Sequence, residues 1–125
     1  MAIASYLKSL TPSPRPFLKN GGLSEAAQRG KIAFQKAGCA ECHQGVYLTA
    51  MKNRNVGTFL PGDRDRAFDI PSLREVWRTG PYLHDGRVST LKEIFTKFDS
   101  GNFHGKHERL SETEIDELSQ YVLSQ

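Results

Sequence analysis

The 125-residue sequence holds only two cysteines, one tryptophan and two methionines. Two cysteines exclude a fold stapled by several disulfides. No run of 18 or more apolar residues occurs, so no membrane-spanning helix is expected. The opening Met1-Ala2-Ile3-Ala4 is too short for a secretory leader and carries no basic residue. Apolar residues are also sparse, at 38%, and mean hydropathy is −0.51. A single domain of this length therefore has a thin core of its own. Charge of one sign does not dominate either. The formal net charge is +3, spread along the chain, and gives no ground for a nucleic-acid partner.

What is present is Cys39-Ala40-Glu41-Cys42-His43. Two cysteines separated by two residues, with histidine directly after the second, is the spacing for covalent attachment of a c-type haem. Two thiols so placed can add to the vinyl groups on neighbouring pyrrole rings. His43 then lies under the porphyrin plane as the proximal iron ligand. Other uses of the same letters need more. A zinc site needs two further ligands at a zinc-finger spacing, which His84, His104 and His107 do not offer. A thioredoxin-like redox pair needs a βαβ context, and none is visible. A disulfide across a two-residue gap closes a small, strained loop. One haem would supply the apolar mass that the composition lacks, and its two propionates would bring the net charge towards neutrality.

Around this motif the pattern is helical. Ile3, Tyr6, Leu7 and Leu10 mark a short amphipathic helix, and the proline-rich stretch Thr11-Pro12-Ser13-Pro14-Arg15-Pro16 ends it as an extended linker. Residues 1–20 read as the last helix of a preceding domain plus linker, and residues 21–125 as the domain proper. The first domain helix starts at the N-cap Ser24, with Glu25 in its first turn, and stops at Gly38. Gly30 lies among small residues and is the expected contact with the last helix, which starts at Ser111 with the capping box Ser111–Glu114. Residues 52–66 read as an exposed loop, in which Arg64 and Arg66 could meet propionates. Pro71 opens a short helix bearing Leu73, Val76 and Trp77 on one face. Thr90–Glu93 caps another, with Leu91, Ile94, Phe95 and Phe98 on its apolar side. Residues 99–106 read as a loop.

The words Pro71-Ser72-Leu73-Arg74 and Pro81-Tyr82-Leu83-His84-Asp85-Gly86, in that order after CxxCH, carry a resemblance. The stretch from about Gly22 to Ser124 resembles the haem-binding domain of the bacterial dihaem cytochrome c peroxidase and MauG family. The resemblance implies an all-α, small c-type cytochrome fold, with three to five helices and long loops around one covalent haem c. It also implies a sixth iron ligand, where there is one, from the end of the helix after the His84 turn. There this sequence has Phe98, which cannot ligate. Reach and chemistry put His104 first as the distal ligand, followed by an open or water-occupied site, His84 or His107, and Met51.

One haem carries one electron. The expected function is an electron-transfer module of a larger exported protein, periplasmic or otherwise extracytoplasmic, since haem attachment to CxxCH normally happens outside the cytoplasm. Its partner would be a redox protein or a neighbouring redox domain of the parent chain, with dimerisation possible. A peroxidase-like enzyme with an open distal site, or a small-ligand sensor, is the alternative.

Overall fold

The computed structural model of the chain describes residues 2–99 and 101–125. Met1, in the expected 1–20 segment, and Ser100, in the expected 99–106 loop, lie outside the described residues. Helices dominate. Helix α1 spans Ala2–Ser9, α2 spans Glu25–Lys36, α3 spans Leu91–Glu93 and α4 spans Glu112–Leu123. One small sheet joins β1 (Asn53–Arg54) to β2 (Phe68–Asp69), antiparallel. None of the described helices is long and apolar enough to cross a membrane.

The pair α2 and α4 is the scaffold. Both begin at a serine whose hydroxyl accepts a first-turn backbone N–H, Ser24 from Ala27 and Ser111 from Glu114. Such a cap satisfies a donor that the helix itself leaves free. At Gly30 the two helices touch. A Cβ there would lie 1.8 Å from the Glu117 carbonyl oxygen and 2.9 Å from Tyr121 Cβ, so only glycine fits. The close approach buries Ala27, Ala33 and Phe34 against Leu118, Tyr121 and Val122, with Phe34 and Tyr121 edge to face at 5.3 Å. Arg29–Glu117 and Lys36–Glu114 close the exposed flank. The expected Gly30 contact is therefore the one the structure makes.

Elsewhere the structure departs from the sequence reading. Residues 52–66 are not simply an exposed loop. They begin in β1, and Thr58 is buried. The pairing continues past the strands: Ile70 N donates to Lys52 O, Ser72 Oγ to Tyr47 O and Arg74 Nε to Val46 O. Residues 46–54 and 68–74 thus form a ribbon that walls one side of the interior. The pairing also explains why the expected helix at Pro71 shrinks to one 3₁₀ turn, Val76–Arg78. The Ser72 hydroxyl takes the Arg74 N–H, and Glu75 sits at φ 56°. Serine that bonds its neighbouring backbone competes with helix formation. Helix α3 has its capping box, then widens into a π turn over Ile94–Phe98. Helix α1 buries none of its residues. The linker behind it is tied down by Ser13 N to Glu75 Oε1 and by Arg15 to the Ser124 carbonyl.

Candidate cofactor site

Helix α2 delivers the chain into the CxxCH motif. Gly38, at φ 73°, ends the helix and starts the 3₁₀ turn Cys39–Glu41. The N–H groups of Cys42 and His43 both donate to the Cys39 carbonyl. This tight turn brings Cys39, Cys42 and His43 to the edge of one cavity of about 560 Å³. Its size falls within the usual range for bound small molecules and cofactors. Helices α2 and α4 line it with Phe34, Leu118 and Val122. The ribbon adds Ile70 and Leu73, and α3 with its π turn adds Leu91, Ile94 and Phe95. The two thiols are free. Burial pushes Cys39 up to about 11, so it stays protonated at neutral pH.

His43 is oriented by backbone carbonyls, those of Leu48 and Pro71. Its Nδ1 lies 3.1 Å from the Leu48 carbonyl oxygen. A carbonyl only accepts, so Nδ1 carries the proton and Nε2 keeps its lone pair. A backbone carbonyl behind the ring is the usual support of a metal-binding histidine. Burial also holds the ring below its ordinary pKa and favours the neutral form.

His104 lines the same cavity, on a loop joined to the CxxCH turn by Lys106 N–H to the Ala37 carbonyl. The two ring centroids are 6.4 Å apart and the rings tilt by 31°. An imidazole nitrogen binds a metal at about 2 Å, and the ring centre lies about 1 Å further back, so two imidazoles on one metal sit about 6 Å apart. The observed spacing fits that arrangement. Burial lowers the His104 pKa to about 4, with the neighbouring His43 adding to the effect. Its Nδ1 is buried and has no hydrogen-bond partner. A buried polar atom left unpaired is uncommon and asks for a reason.

The loop that presents His104 is built on Asp99, which is 3% exposed. Its carboxylate accepts the backbone N–H groups of Phe103 and His104, each at 2.8 Å, and lies 3.0 Å from His107 Nε2. Phe95 packs between the His104 and His107 rings.

No family model matches the chain. Curated relatives do. MauG of Methylophilus methylotrophus is 30% identical over 119 residues, covering 79% of this chain and 36% of that protein. The cytochrome c551 peroxidase of Pseudomonas aeruginosa is 30% identical over 117 residues, covering 74% of this chain and 34% of that protein. The chain belongs to the MauG and cytochrome c peroxidase family. It spans about a third of the length of these relatives. Among solved structures, a chain of hydrazine synthase from Kuenenia stuttgartiensis superposes with a TM-score of 0.86 at 25% identity. That match covers 99% of this chain and 54% of the other.

Within this member of the MauG and peroxidase family, the other candidate ligands have different surroundings. His107 is held by Asp99. His84 borders the cavity, but its Nε2 is 2.9 Å from Asp63 and its ring stacks on Phe68 at 4.0 Å. Met51 is 81% exposed and does not line the cavity. Phe98 lies at the surface, with the Arg87 guanidinium over its ring. Arg66 sits over Phe59. No cluster of three or more His, Cys, Asp or Glu suited to a metal ion occurs among the described residues. Two functional positions escape sequence reasoning. Leu48 acts through its backbone carbonyl, which leaves no residue-type signal. Asp99 leaves a faint one, an aspartate four and five residues before the N–H groups it accepts.

Proposed function

We propose that this chain is an electron-transfer cytochrome domain. One haem would be attached through Cys39 and Cys42 and held by His43 and His104. The cofactor supplies a single one-electron couple, ferric to ferrous, whose potential depends on axial ligands and burial. The protein contributes the rest. Gly38 and the 3₁₀ turn present the thiols together, the Leu48 carbonyl fixes the His43 tautomer, Asp99 fixes the loop carrying His104, and the apolar walls exclude water. The observation that carries this reading is the pair of neutral imidazoles lining one cavity with ring centres 6.4 Å apart. Two nitrogen ligands leave no coordination position for substrate, which suits a carrier. Residues 21–125 would form the cytochrome module and residues 1–20 its connection to a larger exported protein. Haem attachment would place it outside the cytoplasm.

The orphaned Nδ1 of His104 favours a second reading, in which the distal side opens and the domain does peroxidase-like chemistry. Spectra separate the two. The matured protein should have the mass of the polypeptide plus one haem and a six-coordinate, low-spin spectrum in both oxidation states. His104→Ala should convert it to a high-spin form that takes up cyanide or carbon monoxide. A high-spin wild type, or a His104→Ala spectrum identical to wild type, would overturn the bis-histidine assignment.

A further inference from the structure

The ribbon beside the CxxCH turn has an outer face that the proposed function does not use. Val46 is 74% exposed, Tyr47 68% and Met51 81%, three large apolar side chains within six residues. Exposed apolar groups scattered singly need no explanation, whereas a contiguous group marks a contact surface. The backbone holds this arrangement against its own preference. Gly45, Leu48 and Met51 all lie in the left-handed region, at φ 71°, 53° and 51°. For leucine and methionine that conformation is unfavourable by roughly 1 kcal/mol each. The result turns Leu48 inward against the core while Tyr47 and Met51 face water. Thr49 Oγ1 secures the turn, donating to Ile70 O and accepting from Met51 N.

Charge adds the second observation. The two ribbon segments, 46–54 and 68–74, with Arg66 just before the second, carry Lys52, Arg54, Arg66 and Arg74 against a single acid, Asp69. None of these four cations forms an ion pair among the described residues. Around α4 most cations are matched: among the described residues Arg29 and Lys36 of α2 and Lys92 of α3 each pair with a carboxylate of α4, while Lys31 of α2 does not. Exposed cations without ion-pair partners, on the same ribbon as exposed aromatic and methionine side chains, have the composition of a protein interface.

We infer that the outer face of the ribbon, centred on Tyr47 and Met51, is the docking surface for an acidic redox protein. The inference rests on the electron-transfer reading. The surface also has a direct connection to the site, because the residue after Tyr47 is Leu48, whose carbonyl is bonded to His43 Nδ1. One electron would leave the ferrous domain and reduce the acceptor by one, with no other bond made or broken.

The test uses haem-loaded, dithionite-reduced protein in stopped flow, with an acidic plastocyanin as one acceptor and a basic cytochrome c as the other. The plastocyanin rate should fall about tenfold between about 20 and about 300 mM salt. Lys52→Glu with Arg66→Glu should lower the low-salt rate about tenfold, and Tyr47→Ser about threefold. Lys8→Glu with Lys31→Glu, the same change in net charge away from the ribbon, should leave it within about twofold of wild type. Equal loss in both charge variants, no loss in the ribbon variants, or a faster rate with the basic acceptor overturns the surface. Ferricyanide tells the two readings apart. Rapid one-electron oxidation by it in every variant preserves the electron-transfer reading while the surface fails. Absence of that oxidation in the wild type sinks both.

Discussion

The two imidazoles that line the cavity are held by different means. His43 has its ring nitrogen Nδ1 tied to a carbonyl and follows directly from a turn anchored on α2. His104 has its backbone tied down by Asp99, while its ring is held by packing alone and its Nδ1 is unpaired. A ligand whose second nitrogen donates to a fixed acceptor is better oriented and more basic. One side is therefore oriented through the ring and the other through the chain. The first should be the strong ligand and the second the weaker one, with potential and reactivity set mainly by what happens at His104.

The largest expected effect breaks this comparison from the strong side. His43→Ala should abolish stable low-spin haem and lower the yield of haem-loaded protein. His104→Ala should keep haem and fold and change only the spin state. Haem content and absorption spectra of the two purified variants check this, and the opposite ranking would reverse the assignment of strong and weak sides. Gly30→Ala comes next. Its Cβ would collide with the α4 backbone, an overpacking error that should destabilise by about 3 kcal/mol in urea unfolding. Below the transition its spectrum should match wild type, because the asymmetry belongs to the ring contacts and not to the helix crossing. Asp99→Ala is smaller in stability, about 2 kcal/mol, through loss of acceptors for two backbone N–H groups and His107. It should nonetheless raise the high-spin fraction, since the His104 loop loses its anchor. Asp99→Asn, which keeps one acceptor oxygen, should restore part of the low-spin signal. A low-spin fraction unchanged in Asp99→Ala would show that packing by Phe95 suffices.

The same division between ring and chain explains what the sequence revealed. Ser24, Gly38, Ser111–Glu114 and Thr90–Glu93 are local signals, and each marks a helix end where the structure has one. Gly30 was legible because small residues on two amphipathic helices leave few ways to pack. CxxCH was legible because the chemistry imposes a spacing. The ribbon was not, since it joins segments about 20 residues apart by isolated bonds such as Ser72 to Tyr47, with strands of two residues each. Periodicity needs more length than that. The Leu48 carbonyl and the Asp99 clamp were hidden for a related reason. One acts through backbone, and the other is buried by a tertiary fold that its own neighbours do not encode.

The smallest effect concerns the scaffold under both imidazoles. Glu114 is paired with Lys36 and closes the α4 capping box, and these contacts hold its carboxyl down at about 2 against an ordinary 4.5. A carboxylate with a depressed pKa contributes stability that is fully present above its unfolded value and fades as pH falls through the folded one. The contribution should therefore be intact above about pH 4.5 and lost towards pH 2. Glu114→Gln keeps an acceptor for the cap but removes the charge. Its thermal midpoint should lie slightly below wild type at pH 7, and the two should converge as the pH approaches 2. Spectra at pH 7 should be indistinguishable, because Glu114 touches neither ring. A spectral difference at pH 7 would mean that α4 transmits its end-charge to the His104 side. The two imidazoles could then no longer be treated as separately supported.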